Sequence, residues 1–442
     1  MIMRKHIAKA LLMLIGVTCP GQVSHEYLRN PQTGKYVPYA GKLSGKKVVI
    51  PSNYRPSSRE MRGIWVATVR NIDFPVHAKA VDFKRNFIRL ADNLKAANFN
   101  TLIFQIRPSN DAFYPSELNP WSRFVAGREG TGIPGFDPLH FMILETHKRG
   151  MEFHAWFNPY RVVGDTVLSK DEYLRTLSSK NFARRFPELV LCVRDGKNNM
   201  LLLNPGEPEV KKFILKTVKE VLDNYDVDAI HFDDYFYPYK EIGNADIFTF
   251  RKYNKNRLSL ADWRRHNVDM IIWNTHRMIN RHNSQMTRNV KFGVSPFGIW
   301  ANRKDHPGGS LTQGLQSYSV QYADTRKWVR NNWLDYIVPQ LYWTFETEAA
   351  PYAALADWWA GTIRGTKTQL YIGHAAYQPG QSARWRNPSE LADQLRYNTR
   401  HPEIRGSCFF SYRSVFKPDH KLQRIAMEKI IMEYWKYPAV TP

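Results

Sequence analysis

Cysteine is scarce: Cys19, Cys192 and Cys408 are the three in a chain of 442 residues. So few, without close paired spacing, exclude a disulfide scaffold and a cysteine-built zinc ribbon. No apolar run reaches the roughly 20 residues that a membrane-spanning helix needs. A glycine-rich dinucleotide fingerprint is missing after the first strand-like segment, which removes the best support for an open nucleotide-binding sheet. Acids are outnumbered, 40 against 63 Lys and Arg, for a net charge of +23. Hydrophobic residues nevertheless make up 43% of the chain and aromatics 14%, so disorder is excluded as its main state. The length suits two or three average domains, or one (β/α)8 barrel with insertions.

The amino terminus reads as an export signal over residues 1–24. Arg4, Lys5 and Lys9 precede the apolar run 10–18, which is followed by Pro20 and Gly21. A lipoprotein-type signal ending before Cys19, with a lipid anchor on that residue, is the alternative; Gly16, Val17 and Thr18 depart from its usual pattern. In an oxidising compartment Cys192 and Cys408 can either pair or stay as free thiols. Export also redirects the positive charge from nucleic acid, a poor partner outside the cytoplasm, to anionic envelope polymers and surfaces.

From about residue 60, strand-sized apolar or β-branched runs alternate with helical patterns eight times. The runs are 63–69, 101–106, 151–157, 227–232, 290–294, 336–342, 369–372 and 407–411. Between them apolar residues recur at helical spacing, as in Phe83, Phe87, Leu90 and Leu94, and Asp137-Pro138 is a helix-start signal. Strict alternation implies parallel strands, and eight repeats imply a closed α/β barrel, the (β/α)8 TIM barrel. The expected domains are an extended arm or linker over 25–58, the barrel over 59–437 and a tail over 438–442.

Barrel enzymes carry their sites at the carboxyl ends of the strands. The residues following the eight runs are polar and aromatic, a mixture that suits a sugar: rings stack on its faces, and amides and charges bond its hydroxyls. Asp73, Arg107, Asn158, Tyr160, Arg161, His231, Tyr235, Trp300, Gln340, Tyr342, Trp343, His374 and Tyr377 are the candidate subsite residues. Catalysis is expected after the fourth strand, at Asp233 and Asp234. Strand parity turns Asp233 inward beside His231, which would hold the carboxylate ionised, and turns Asp234 toward loop groups. Glycoside hydrolysis usually needs a second carboxyl about 5–5.5 Å away for retention or about 6.5–9.5 Å for inversion. Glu346 is the best-placed partner outside the pair, with Asp73, Asp111, Asp195 and Glu207 as further options. Asp233 is read as nucleophile or charge stabiliser, and Asp234 or Glu346 as proton donor. The reaction needs no organic cofactor, and no residue is assigned to a metal.

The run Arg59-Glu60-Met61-Arg62-Gly63-Ile64-Trp65-Val66-Ala67-Thr68-Val69, followed by Asn71-Ile72-Asp73-Phe74-Pro75, resembles the opening of the glycosyl-hydrolase-like 10 family of bacterial exported proteins. His231-Phe232-Asp233-Asp234-Tyr235-Phe236-Tyr237-Pro238, Val338-Pro339-Gln340-Leu341-Tyr342-Trp343, Trp358-Trp359 and Tyr371-Ile372-Gly373 are similar to its later signatures. The resemblance runs from about Arg59 to Trp435. It implies a glycosidase-like barrel, often envelope-associated, with peptidoglycan glycan strands as the substrate of some members and Asp233-Asp234 as the acidic motif. The expected function is therefore an exported glycoside hydrolase of a cell-wall-type polysaccharide. Three alternatives stand beside it: a dietary or host polysaccharide as substrate, a catalytically silent glycan-binding barrel of the envelope, and a metal-dependent deacetylase or hydrolase using His231, Asp233 and His374.

Overall fold

The computed structural model describes residues 24–442. The export signal expected over 1–24 lies, up to residue 23, outside them, and so does Cys19. Eight strands form a closed barrel: β1 (Met61–Val66), β2 (Thr101–Arg107), β3 (Glu152–Phe157), β4 (Ala229–Phe232), β5 (Lys291–Val294), β6 (Tyr336–Ile337), β7 (Gln369–Ala375) and β8 (Ile404–Phe410). Every neighbouring pair is parallel, and β8 closes on β1. One principal helix follows each strand in turn: α1 (Ala80–Ala96), α2 (Pro138–His147), α3 (Pro208–Asn224), α4 (Leu260–Met286), α5 (Thr325–Arg330), α6 (Tyr352–Ile363), α7 (Glu390–Asn398) and α8 (Lys421–Lys429). The (β/α)8 barrel expected from the alternation is the architecture found.

Local chemistry explains the elements. In α1 the buried Phe83, Phe87, Leu90 and Leu94 make one apolar stripe, while Asp137 caps α2 by accepting from the His140 amide. β6 is shorter than the expected run 336–342 because Pro339 has no N–H to give the ladder. The chain still follows the barrel there: Val338 N donates to Val294 O at 2.9 Å and Gly373 N to Pro339 O at 2.9 Å.

Period-two alternation separates two cores. Outward residues such as Ile64, Val66, Leu102, Phe104, Phe153, Ile230, Phe232, Phe292 and Val294 pack under the helices. Inward Met61, Trp65, Ile103, Trp156, Ala229, Tyr336, Tyr371 and Cys408 fill the barrel itself. Gly293 is required by this filling, because a Cβ at that position would lie 1.9 Å from Cζ of Tyr336. Gly293→Ala is expected to destabilise the protein by about 1–3 kcal/mol through this overpacking, read as a lowered urea midpoint; an unchanged midpoint would show that the ring gives way freely.

Three segments lie outside the strand and helix repeat, and the first differs from its expectation as an extended arm or linker. The arm over 25–58 is folded: His25–Tyr27 pairs antiparallel with Val49–Pro51, and Leu28, Val37, Val48 and Ile50 are buried in the main core. Tyr39 Oη donates to Asp357 Oδ2 at 2.7 Å and Arg396 binds Glu26 at 2.8 Å, tying the arm to α6 and α7. The connection from β3 to α3 contains a three-stranded antiparallel sheet, Arg161–Thr166, Asn198–Leu203 and Val190–Asp195 in spatial order. The tail over 438–442 bonds back to the chain entering β1, with Glu60 N donating to Val440 O at 3.0 Å. Cys192 is exposed on the inserted sheet, Cys408 is buried inside the barrel, and both are free thiols, so the pairing option is not realised.

Candidate active site

Inward strand residues near the carboxyl ends form the floor of a cavity of about 340 Å³. Trp65, Gln105, Trp156, Ser295 and Gln340 rise from five different strands or their ends, and Phe410 ends β8. Tyr235, Tyr239, Tyr342 and Tyr377 come from the loops, and Arg161 from the start of the inserted sheet. Trp65, Phe410, Tyr342 and Tyr377 make one ring cluster, with successive centroids 6.1–6.3 Å apart.

Asp233 and Asp234 both line this cavity, and both are buried. Strand pairing ends at Phe232, so alternation no longer separates them, and the expectation that Asp234 turns away from the cavity is corrected. Oδ2 of Asp233 accepts from Asn158 Nδ2 at 2.9 Å and Trp156 Nε1 at 3.2 Å. Asn158 also accepts the Arg161 amide at 3.0 Å, locking β3's end to the acid. Burial pushes the Asp233 carboxyl up to about 7; the Arg161 guanidinium opposes this shift and the Asp234 charge adds to it. Asp234 accepts a hydrogen bond from the Tyr239 hydroxyl. Its carboxyl is also raised by burial, against the hydrogen bonds from Tyr239, Gln340 and Gln321.

His231 does not perform the role expected for it. Trp65 Nε1, a donor only, points at His231 Nε2 at 3.3 Å, so that nitrogen is unprotonated and Nδ1 donates to Tyr336 Oη at 2.9 Å. Burial pushes the imidazole well below its ordinary pKa, with nearby His154 adding to the shift. Neutral His231 supports the floor through Ser295 and Trp65; the donors that hold Asp233 are Asn158, Trp156 and the Tyr235 amide.

Of the expected subsite residues, Arg161, Tyr235, Gln340, Tyr342 and Tyr377 meet at the cavity with the two aspartates. Arg161 lies 4.1 Å above the Tyr235 ring. Asn158 acts behind the cavity through Asp233. The others lie elsewhere. Asp73 accepts from Ala67 N, Ser411 Oγ and Arg413 N and so joins the loops after β1 and β8. Arg107 is fully buried on the carbonyls of Asn158 and Pro159, and Tyr160 is buried in the main core. Trp300 stacks on Trp358, and Trp343 packs against Phe297. His374 faces the helical layer, bonded to Gln394 and Ser407, so the structure does not bring His231, Asp233 and His374 together as a ligand set. No group of His, Cys, Asp and Glu among the described residues is arranged to hold a metal ion.

Glu346 is exposed and accepts from Asn30 Nδ2 of the arm at 2.6 Å, outside the cavity that holds Asp233. The structure therefore does not unite it with the aspartate pair. Glu346→Gln is expected to leave kcat/KM within about twofold of wild type, since an exposed side chain here does not reach the reacting bond. A loss beyond tenfold in steady-state assays would return it to the catalytic set.

Trp65, Gln105, Trp156, Ser295, Tyr239 and Phe410 were absent from the sequence candidates. A readable signal existed for most of them: inward parity continued toward the carboxyl end of each strand. Gln105 is the most pointed case, with Oε1 accepting the Thr68 and Val69 amides at 3.0 and 2.9 Å and Nε2 buried without a partner.

Comparison with known proteins follows the same outline. The sequence profile of the Glycosyl hydrolase-like 10 family matches residues 60–388. The chain belongs to this family. Glycosyl hydrolase YngK of Bacillus subtilis (strain 168) is 40% identical over 395 residues, covering 87% of this chain and 74% of that protein. Glycosyl hydrolase DigH of Escherichia coli (strain K12) is 40% identical over 390 residues, covering 83% and 86%. Among solved structures, the PgaB (BpsB) glycoside hydrolase domain from Bordetella bronchiseptica superposes with a TM-score of 0.51 at 11% identity, over 84% of this chain and 99% of that one. The catalytic domain of β-amylase from Paenibacillus polymyxa gives 0.51 at 9% identity, over 86% and 100%. At such identities these two share the barrel fold with this family member. Among the described residues no helix is long and apolar enough to cross a membrane.

Proposed function

We propose that this glycosyl hydrolase-like 10 protein is an exported glycoside hydrolase that cleaves a cell-wall-type amino-sugar polysaccharide, with peptidoglycan glycan strands as first choice. The observation that carries the reading is the pairing of two buried aspartates with an aromatic wall in one barrel-mouth cavity. Rings of this kind stack on sugar faces, and the carboxyls supply acid and base. The roles proposed here reverse those expected from sequence. Asp233, raised to about 7, carries the proton to the leaving oxygen; Asp234, supported by Tyr239 and two amides, stays ionised and stabilises positive charge at the anomeric carbon. The net charge of +23 favours residence on anionic envelope polymers, with binding that weakens as salt rises.

The test is incubation of the purified protein with peptidoglycan glycan strands, with and without stem peptides, and mass spectrometry of released reducing ends. Fragments whose masses identify one cleaved bond support the reading. Retained strand binding without release would overturn it in favour of a silent glycan-binding barrel.

A further inference from the structure

In the described structure Asp233 and Asp234 are the acids that line the cavity, and they are consecutive residues at one strand end. Across from them the ring cluster of Trp65, Phe410, Tyr342 and Tyr377 is uncharged. A carboxylate pair used for ordinary double displacement or inversion flanks the scissile bond from two directions. Consecutive residues at the end of a single strand approach the sugar from one side, and the opposite wall offers no carboxylate to attack the anomeric carbon. Glycosidases can instead draw the nucleophile from the substrate itself.

Resting on the glycosidase reading above, we propose that the nucleophile is the substrate's own 2-acetamido group, with Asp233 carrying the proton and Asp234 steadying the acetamide. The enzyme would then require an N-acetylated sugar at the reacting position. In the first step the acetamide carbonyl oxygen forms a bond to C1 as the C1–O bond to the leaving sugar breaks, and the leaving oxygen takes the Asp233 proton. The positive charge of the resulting cyclic oxazolinium spreads to its N–H, which Asp234 accepts as a carboxylate. In the second step water attacks C1 and gives its proton to Asp233, the carbonyl oxygen leaves C1, and the acetamide is restored. Two displacements at C1 retain the anomeric configuration.

Two further features fit this substrate. The ring cluster is an apolar surface for the acetamide methyl. Gln105 on the cavity floor is fixed by the Thr68 and Val69 amides, so the surface beneath the sugar is held in place.

The test uses wild-type protein, so no variant has to fold. Aryl glycosides of chitooligosaccharides are prepared with acetyl, fluoroacetyl, difluoroacetyl and trifluoroacetyl groups on the reacting sugar, beside peptidoglycan strands left intact or chemically de-N-acetylated. Fluorine weakens the carbonyl oxygen as a nucleophile with little change in shape. The expected result is a fall in kcat/KM of roughly tenfold or more across the series, carried by kcat. It comes with retained configuration by NMR and no cleavage of de-N-acetylated strands. Rates indifferent to fluorine, or equal cleavage of both strand forms, would overturn the internal nucleophile while leaving the glycosidase reading standing. No hydrolysis of any substrate, N-acetylated or not, would remove the glycosidase reading and this inference together.

Discussion

Asp233→Asn lowers kcat/KM on glycan strands by roughly 10²–10⁴-fold, the contribution of a positioned general acid. Strand binding persists, because Asn keeps the shape and the aromatic wall is untouched. An aryl glycoside whose leaving group departs without a proton recovers much of the loss at the bond-breaking step, which separates loss of the acid from misfolding. The pH profile gives a second check. Asp233 must be protonated to donate, so wild-type kcat/KM falls as pH rises through about 7, where its carboxyl ionises. Asp234 must be ionised, so activity also falls on the acid side, at a pH above the usual aspartate range because burial raises that carboxyl too. Trp156→Phe removes one N–H donor from Asp233 Oδ2, destabilises the ionised form, and shifts the basic limb upward. A basic limb that stays in place in Trp156→Phe, or wild-type rates in Asp233→Asn, would show that Asp233 is not the proton carrier.

Stability supplies the counterpart. The folded-state pKa of Asp233 stands above the unfolded value, so its contribution is full below about 4 and is lost as pH rises through about 7. Asp233→Asn therefore melts higher than wild type at pH 8. An inactive variant that is more stable is the behaviour of a site holding an acid in an environment its charge opposes.

How far the sequence could be read follows from where side-chain periodicity holds. The eight alternating segments were legible because Ile64, Leu102, Phe153 and Ile230 mark the outward face and Phe83 to Leu94 mark a helix stripe. The folded arm was not, since Leu28, Val37, Val48 and Ile50 stand too far apart to make a pattern and join the main core only once the arm is tied to the distant α6 and α7 through Tyr39 and Glu26. In the site, parity placed Asp233 correctly at the cavity but failed one residue later, where the strand stops at Phe232 and a turn brings Asp234 to the same place. His374 shows the converse failure. It follows an apolar run and reads as a mouth residue, yet β7 continues to Ala375 and its register sends the imidazole outward, onto Gln394. Glu346 sits on a loop after the short β6, where sequence gives no direction at all. The long-range pairing of Asn158 with Asp233, and the turn that brings Tyr239 back onto Asp234, needed the fold before they could be seen.

One buried acid outside the cavity carries the other large expected effect. Glu390 opens α7, and its Oε1 accepts Phe345 N at 2.9 Å and Gln394 Nε2 at 3.1 Å, so it braces the loop that follows β6. Burial pushes its carboxyl up to about 8, with the charges of Asp393 and Glu346 adding to the shift, so it is largely protonated at neutral pH. In the unfolded chain the same group ionises near 4.5. Its contribution to stability is therefore full below about 4.5 and is lost as pH rises through about 8. Glu390→Gln keeps an acceptor for the two N–H donors and removes the titration. At pH 7 the variant gains about 3 kcal/mol, from 1.36 kcal/mol for each pH unit between ordinary glutamate and neutrality. Below pH 4.5 the gain vanishes, and above pH 8 it is constant. Urea unfolding of both proteins from pH 4 to 9 reads this directly. A difference that does not grow with pH would mean that Glu390 is ionised in the fold and that its neighbours, rather than a proton, hold its charge.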